Sequence, residues 1–129
     1  MGHDKRREIL ASAFCENFKD FLKDLRILYP DDSKLKYYFI AFNGAVLTNK
    51  ENVVLQTMEY ISPYANQILE KNEDFFLKKI HVEYQDNSWI SDEMGRIREI
   101  WLDKDTKEST KEIIWKYFSN FIKIWEMLN

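Results

Sequence analysis

The chain has 129 residues, 45% of them apolar, with nine Phe, seven Tyr and four Trp and a formal net charge of −3. That length bounds a single domain, 1–129, and rings that each bury about 150–250 Å² supply a core without disulfides or metal. Three glycines and two prolines are too few for the turns of a β-sandwich or barrel, a single Cys rules out an intrachain disulfide, and 19 basic against 22 acidic residues exclude a strongly basic nucleic-acid footprint.

The elements follow in order. Phe14, Phe18, Phe21, Leu25 and Leu28 recur at steps of four and three, which places them along one side of a helix. That helix is expected from Asp4, as its cap, to about Tyr29, where Pro30 pushes the preceding residue out of the α region. Asp31, Asp32 and Ser33 offer caps for a second helix whose inner face is Leu35, Tyr38, Phe39, Phe42, Ala45 and Val46. Gly44 inside it costs about 1 kcal/mol relative to Ala, or else marks a close helix contact. Thr48 and Glu51 have the spacing of a capping box that opens a third helix with Val54, Leu55, Met58 and Ile61. Ser62-Pro63 starts or kinks a fourth, short helix carrying Ile68 and Leu69, and Asn72-Glu73-Asp74 is placed to cap one more turn.

Residues 79–88 read differently. Ile80, Val82 and Tyr84 alternate with Lys79, His81 and Glu83, which is the period of a strand. A lone strand is not stable, so the segment is expected as an extended connector, with a short β element near 79–84 as the alternative. Ile90, Met94, Ile97 and Trp101 then mark another helix, Asp103 to Ser109 a polar turn, and Ser109 with Glu112 a second capping box. The last helix repeats the opening rhythm in Ile114, Phe118, Phe121, Trp125 and Leu128. Its polar stripe is narrow (Lys116, Ser119, Asn120, Lys123, Glu126), which places it centrally. The expected fold is all-α, a compact single-domain bundle of five or six helices. No stretch approaches 18 uncharged apolar residues and no apolar leader follows the N-terminus, so neither a membrane span nor a secretory signal is expected.

Little in the sequence points to catalysis. His3 and His81 belong to no zinc, metalloprotease or triad spacing. Cys15, beside the first seam and without a basic neighbour, reads as a small packed hydrophobe. Asp31 and Asp32 read as caps, as do Asp103 and Asp105, which lack the glycine and the twelfth-position acid of a calcium loop. The expectation is therefore a non-enzyme with no catalytic residues, no cofactor and no metal. Two surfaces remain. Tyr37, Tyr60, Tyr64, Tyr84, Trp89 and Trp115 lie off the main seams, and such residues are enriched at protein interfaces. Lys5, Arg6, Arg7, Lys78, Lys79, Arg96 and Arg98 would contact phosphate if the fold gathered them.

The runs FKDFLKDLRILYPDDSKLKYY and IREIWLDKDTKESTKEIIWKYFSNFIKI, with ILEKNEDFFL between them, resemble short uncharacterised helical proteins of large nucleocytoplasmic DNA viruses, the algal-virus and mimivirus-like groups. The resemblance covers about residues 14–128 and rests on helix seams and caps. It implies a setting, namely an intracellular viral protein of the host cytoplasm, viral factory or virion, and carries over no activity. The expected function is a helical protein-interaction module that binds a viral or host macromolecule through an aromatic-rich surface. A viral or host protein is the first partner and a second copy the next. The alternative is a nucleic-acid-binding accessory factor.

Overall fold

Pro30 ends the first helix where the sequence places its stop. The computed structural model describes residues 2–74 and 89–128. Helix α1 runs Gly2–Leu28, beginning two residues ahead of Asp4. The Tyr29 N–H still donates to the Leu25 carbonyl at 2.9 Å before the chain turns over Pro30. Asp32 then caps α2, Ser33–Ile61, in extended backbone (φ −82°, ψ 106°). Its Oδ1 accepts the otherwise unpaired N–H groups of Lys34 and Leu35 at 3.0 and 3.1 Å.

α2 joins what the spacing divides into a second and a third helix. It kinks at Asn49, whose backbone is extended (φ −165°, ψ 97°). The cap there is Asn49, not Thr48: Asn49 Oδ1 accepts from the Asn52 N–H at 3.1 Å, while the Thr48 hydroxyl turns back to the Gly44 carbonyl at 3.1 Å. Pro63 lies in a 3-10 turn, Ser62–Tyr64, which leads into the five-residue α3, Ala65–Leu69. α4 is Trp89–Leu102 and α5 is Glu108–Leu128. α5 starts one residue before Ser109, so the expected Ser109–Glu112 box does not form its cap. Thr110 and Lys111 instead donate to the Lys107 carbonyl at 3.0 and 3.2 Å. The bundle is therefore all-helical among the described residues, with four long helices in place of the five or six expected. The strand-like alternation at 79–84 and the turn expected at Phe75–Leu77 lie outside the described residues.

α1 is the middle layer and runs antiparallel to both neighbours. Against α2, Ser12 meets Lys50 at 2.8 Å, Phe18 stacks on Phe42 at 4.8 Å, and Arg26 lies over the Phe39 ring at 5.1 Å. Against α5, Phe14 meets Phe121 at 5.1 Å and Phe21 meets Phe118 at 5.7 Å. The Tyr117 hydroxyl donates to Asp24 from the same helix pair. The central place expected for the last helix thus falls to the first. Phe18 is the hub. Its ring also stacks on Phe121 at 5.4 Å, so three helices share one aromatic column. The two seams are buried through Leu25 and Phe121, then reach the surface at their ends, with Leu28 exposed and Trp125 and Leu128 half-buried. α4 lies antiparallel on α2, with Trp89 edge-on to Phe42 and Arg96 beside Asp32, and Trp101 meets Trp115 of α5 at 5.0 Å. No described helix is long and apolar enough to cross a membrane.

Candidate interaction surface

From Ser33 to Thr48, α2 contains no acidic residue and has two opposed apolar faces. The inner one, Leu35, Tyr38 and Phe42, is buried. On the outer one Tyr37, Ile40, Gly44 and Leu47 follow at steps of three, four and three, so they form one stripe. Tyr37 is 58% exposed, Ile40 60% and Leu47 88%. A Cβ added at Gly44 would meet nothing within 4 Å. That removes one reading of this glycine, because among the described residues no helix packs closely on it.

The stripe is bordered by two depressions. At its N-terminal end, a cleft of about 580 Å³ opens between α2 and α4, walled by Lys34, Tyr37 and Tyr38 on one side and Asp92, Arg96 and Glu99 on the other. At its C-terminal end, a groove of about 330 Å³ runs between α1 and α2, with Lys19, Asn43, Val46 and Leu47 along it. The floor of the first cleft is held by Asp32. Arg96 donates through Nε at 2.7 Å and through Nη2 to Asp32 Oδ2, and through Nη1 to Glu99 at 3.1 Å. Burial alone would raise the Asp32 carboxyl; the Arg96 guanidinium and the backbone N–H groups of Leu35 and Lys34 outweigh it and hold the carboxyl below its usual range. One residue is thus both the cap of α2 and the clamp of α4.

Glu93 lies beneath this region on α4, fully buried, and among the described residues neither carboxylate oxygen has a hydrogen-bond partner. Desolvation pushes its carboxyl well above the usual range. The Tyr38 phenol beside it is pushed up to about 12, by burial first and then by Asp92, Glu93, Glu99 and Asp32. Glu93 stands at a three-residue step from Ile90 and a four-residue step from Ile97, so its inward position is readable from the period. No residue in the sequence identifies the cleft, because it exists only where α4 docks on α2.

The residues singled out from the sequence divide sharply. Tyr37 is on the outer surface, whereas Tyr60 and Tyr64 are only 6% and 9% exposed and Trp115 is buried. These three belong to the core rather than to a docking face. Trp89 is half-buried, edge-on to Phe18 at 6.2 Å. Tyr84, Lys78, Lys79 and His81 lie outside the described residues. Of the basic set, Lys5, Arg6 and Arg7 are exposed on the first turns of α1, and Arg7 donates to the Leu128 carbonyl at 3.4 Å. Arg96 sits in the α2–α4 cleft and Arg98 is half-buried two residues along α4. About twenty residues of α1, roughly 30 Å of helix, separate the first cluster from Arg96. The structure does not bring them together. Cys15 is buried, its thiol pushed up to about 11 mainly by burial, and it reaches the Lys50 carbonyl at 3.9 Å. Among the described residues, no group of three or more His, Cys, Asp or Glu is placed to hold a metal.

No family model, no curated protein and no solved structure matches the chain.

Proposed function

We propose that the chain is a non-enzymatic helical interaction module that holds a partner protein on the outer face of α2. The observation that carries this reading is the stripe itself. Tyr37, Ile40 and Leu47 are each more than half exposed and lie in line on a helix whose other face is buried. Scattered surface apolar residues need no explanation, but an aligned set flanked by two depressions is the form a docking ridge takes. Tyr37 at its N-terminal end is of a type that dominates interface energetics, and Ile40 and Leu47 add apolar area to it. On the resemblance read from the sequence, the setting proposed is intracellular, in cells infected by a large DNA virus, with a viral or host protein as partner.

The test compares the wild-type chain with Ile40→Ser/Leu47→Ser in affinity purification from cells that express it. Both positions are exposed, so folding stability should stay within about 0.5 kcal/mol per site. Recovery of a specific partner should fall by about tenfold or more, since two lost apolar anchors remove upwards of about 1.4 kcal/mol. Equal recovery of every co-purifying protein by both chains would contradict the assignment.

A further inference from the structure

Tyr37 belongs both to the outer stripe of α2 and to the wall of the α2–α4 cleft, so whatever lies on the stripe has the cleft within reach. The stripe alone offers at most a few hundred Å², short of the roughly 800 Å² per partner of a stable protein interface. A durable occupant must therefore reach beyond the stripe into a depression beside it, and of the two the α2–α4 cleft has the more definite chemistry.

Its inner wall is Tyr38, only 4% exposed. Among the described residues, no hydrogen bond is made to the Tyr38 hydroxyl, which leaves a lone pair open to a donor. Asp92 and Glu99 of α4 line the cleft with Tyr38, and Asp32 stands at the cap of α2; Glu93, fully buried on α4, is held in its neutral form by desolvation and adds no charge. The two cations nearby, Arg96 and Lys34, leave one of the three carboxylates Asp32, Asp92 and Glu99 unbalanced. Arg96 is already occupied by Asp32 and Glu99. Lys34 stands on the opposite wall with its single charge. Asp92 is exposed and forms no ion pair among the described residues. Tyr37 and Tyr38 meet edge to face at 5.7 Å, which leaves the exposed Tyr37 ring with a face free to receive a cation.

We propose that the cleft seats a guanidinium, an arginine side chain of the partner protein, stacked on Tyr37 and donating to the Asp92 carboxylate and the Tyr38 hydroxyl oxygen. The proposal rests on the reading of the α2 face as a docking surface and names the chemistry of its partner. Arginine fits better than lysine because its planar fork stacks on a ring and donates in two directions at once. A carboxylate would meet Asp92 and Glu99 with only Lys34 in its favour. The partner so defined is an apolar segment that covers Ile40 and Leu47 and ends in an arginine at Tyr37.

The test uses the full chain and a small probe, Nα-acetyl-arginine amide, followed by two-dimensional amide NMR. Blocked arginine should shift the amides of Tyr37, Tyr38, Ser91, Asp92 and Gly95 with a millimolar Kd, while blocked leucine and blocked glutamate should not. Asp92→Asn should weaken the probe about tenfold, the size of one lost charge-assisted hydrogen bond. Raising the salt should weaken it further. No shift at these residues in the wild-type chain, or equal shifts with blocked leucine, would overturn the proposal and leave the α2 face standing. Ile40→Ser/Leu47→Ser should leave the titration unchanged while it lowers partner recovery about tenfold or more, so failure of the cleft and failure of the face are read separately.

Discussion

Glu93 shows how one side chain sets the sign of a pH dependence. Its carboxyl is fully buried and without a partner among the described residues, and burial holds it protonated well above the value of 4.5 at which an unperturbed Glu ionises. Above that pH the unfolded chain releases the proton and the folded chain keeps it, so the folded state binds more protons. Stability is then unaffected by Glu93 below about 4.5 and falls as pH rises from there toward the raised folded value. The slope reaches at most about 1.4 kcal/mol per pH unit. Asp32 acts in the opposite sense: its depressed carboxyl contributes stability above 3.8 that is lost as pH falls through its lower folded value. Denaturant unfolding of the wild-type chain and of Glu93→Gln across neutral pH isolates the first effect. The difference between them should widen in favour of Gln as pH rises, and parallel curves would contradict the burial described. Glu93 was legible as an inward position from its helical step. That its oxygens find no partner was not, because pairing depends on what α2 presents to α4.

At the scale of elements, local rules place most boundaries and fail where two caps compete. Pro30, Asp32 and the seam periods stand where the sequence puts them. Thr48 has the right spacing to Glu51, yet Asn49 takes the cap because asparagine is the stronger N-cap and the Thr48 hydroxyl is spent on Gly44. The end of α3 carries a similar lesson. Lys71 adopts φ 56°, a left-handed conformation that glycine takes without strain. Around it, Asn72 N–H donates to Gln67 at 2.7 Å and Lys71 N–H to Ile68 at 3.1 Å, the two bonds of a Schellman close. Lys71 Nζ also meets Glu112 at 2.9 Å, with both side chains more than half exposed, and such pairs contribute little. Lys71→Gly should therefore raise stability by about 0.5–1 kcal/mol, read as a higher denaturation midpoint at unchanged slope. Lys71→Ala, which removes the same ion pair but keeps the strained φ, should give no gain. Equal effects from the two substitutions would mean that the backbone at Lys71 carries no strain.

For the whole molecule, the opening and closing seams define the aromatic centre, and Phe18 joins both of them through Phe42 and Phe121. That much follows from spacing. Which second face each helix buries does not, and this is why Tyr60, Tyr64 and Trp115 read as surface from their own helices but lie in the core. The outer stripe was open to the same arithmetic, since Tyr37, Ile40, Gly44 and Leu47 repeat the seam rhythm on the side opposite Leu35, Tyr38 and Phe42. A two-faced helix in a bundle has either a second neighbour within the chain or a partner outside it. Among the described residues α1 and α4 cover the inner face, and a Cβ at Gly44 would meet nothing within 4 Å on the other. The claim that α2 is the docking element is tested most directly by photocrosslinking. Benzoylphenylalanine placed at Ile40 and at Leu47 should each capture the same discrete protein in cells, and placed at Met127, 56% exposed on α5, should not. Capture of that protein from Met127 but from neither α2 position would contradict the account.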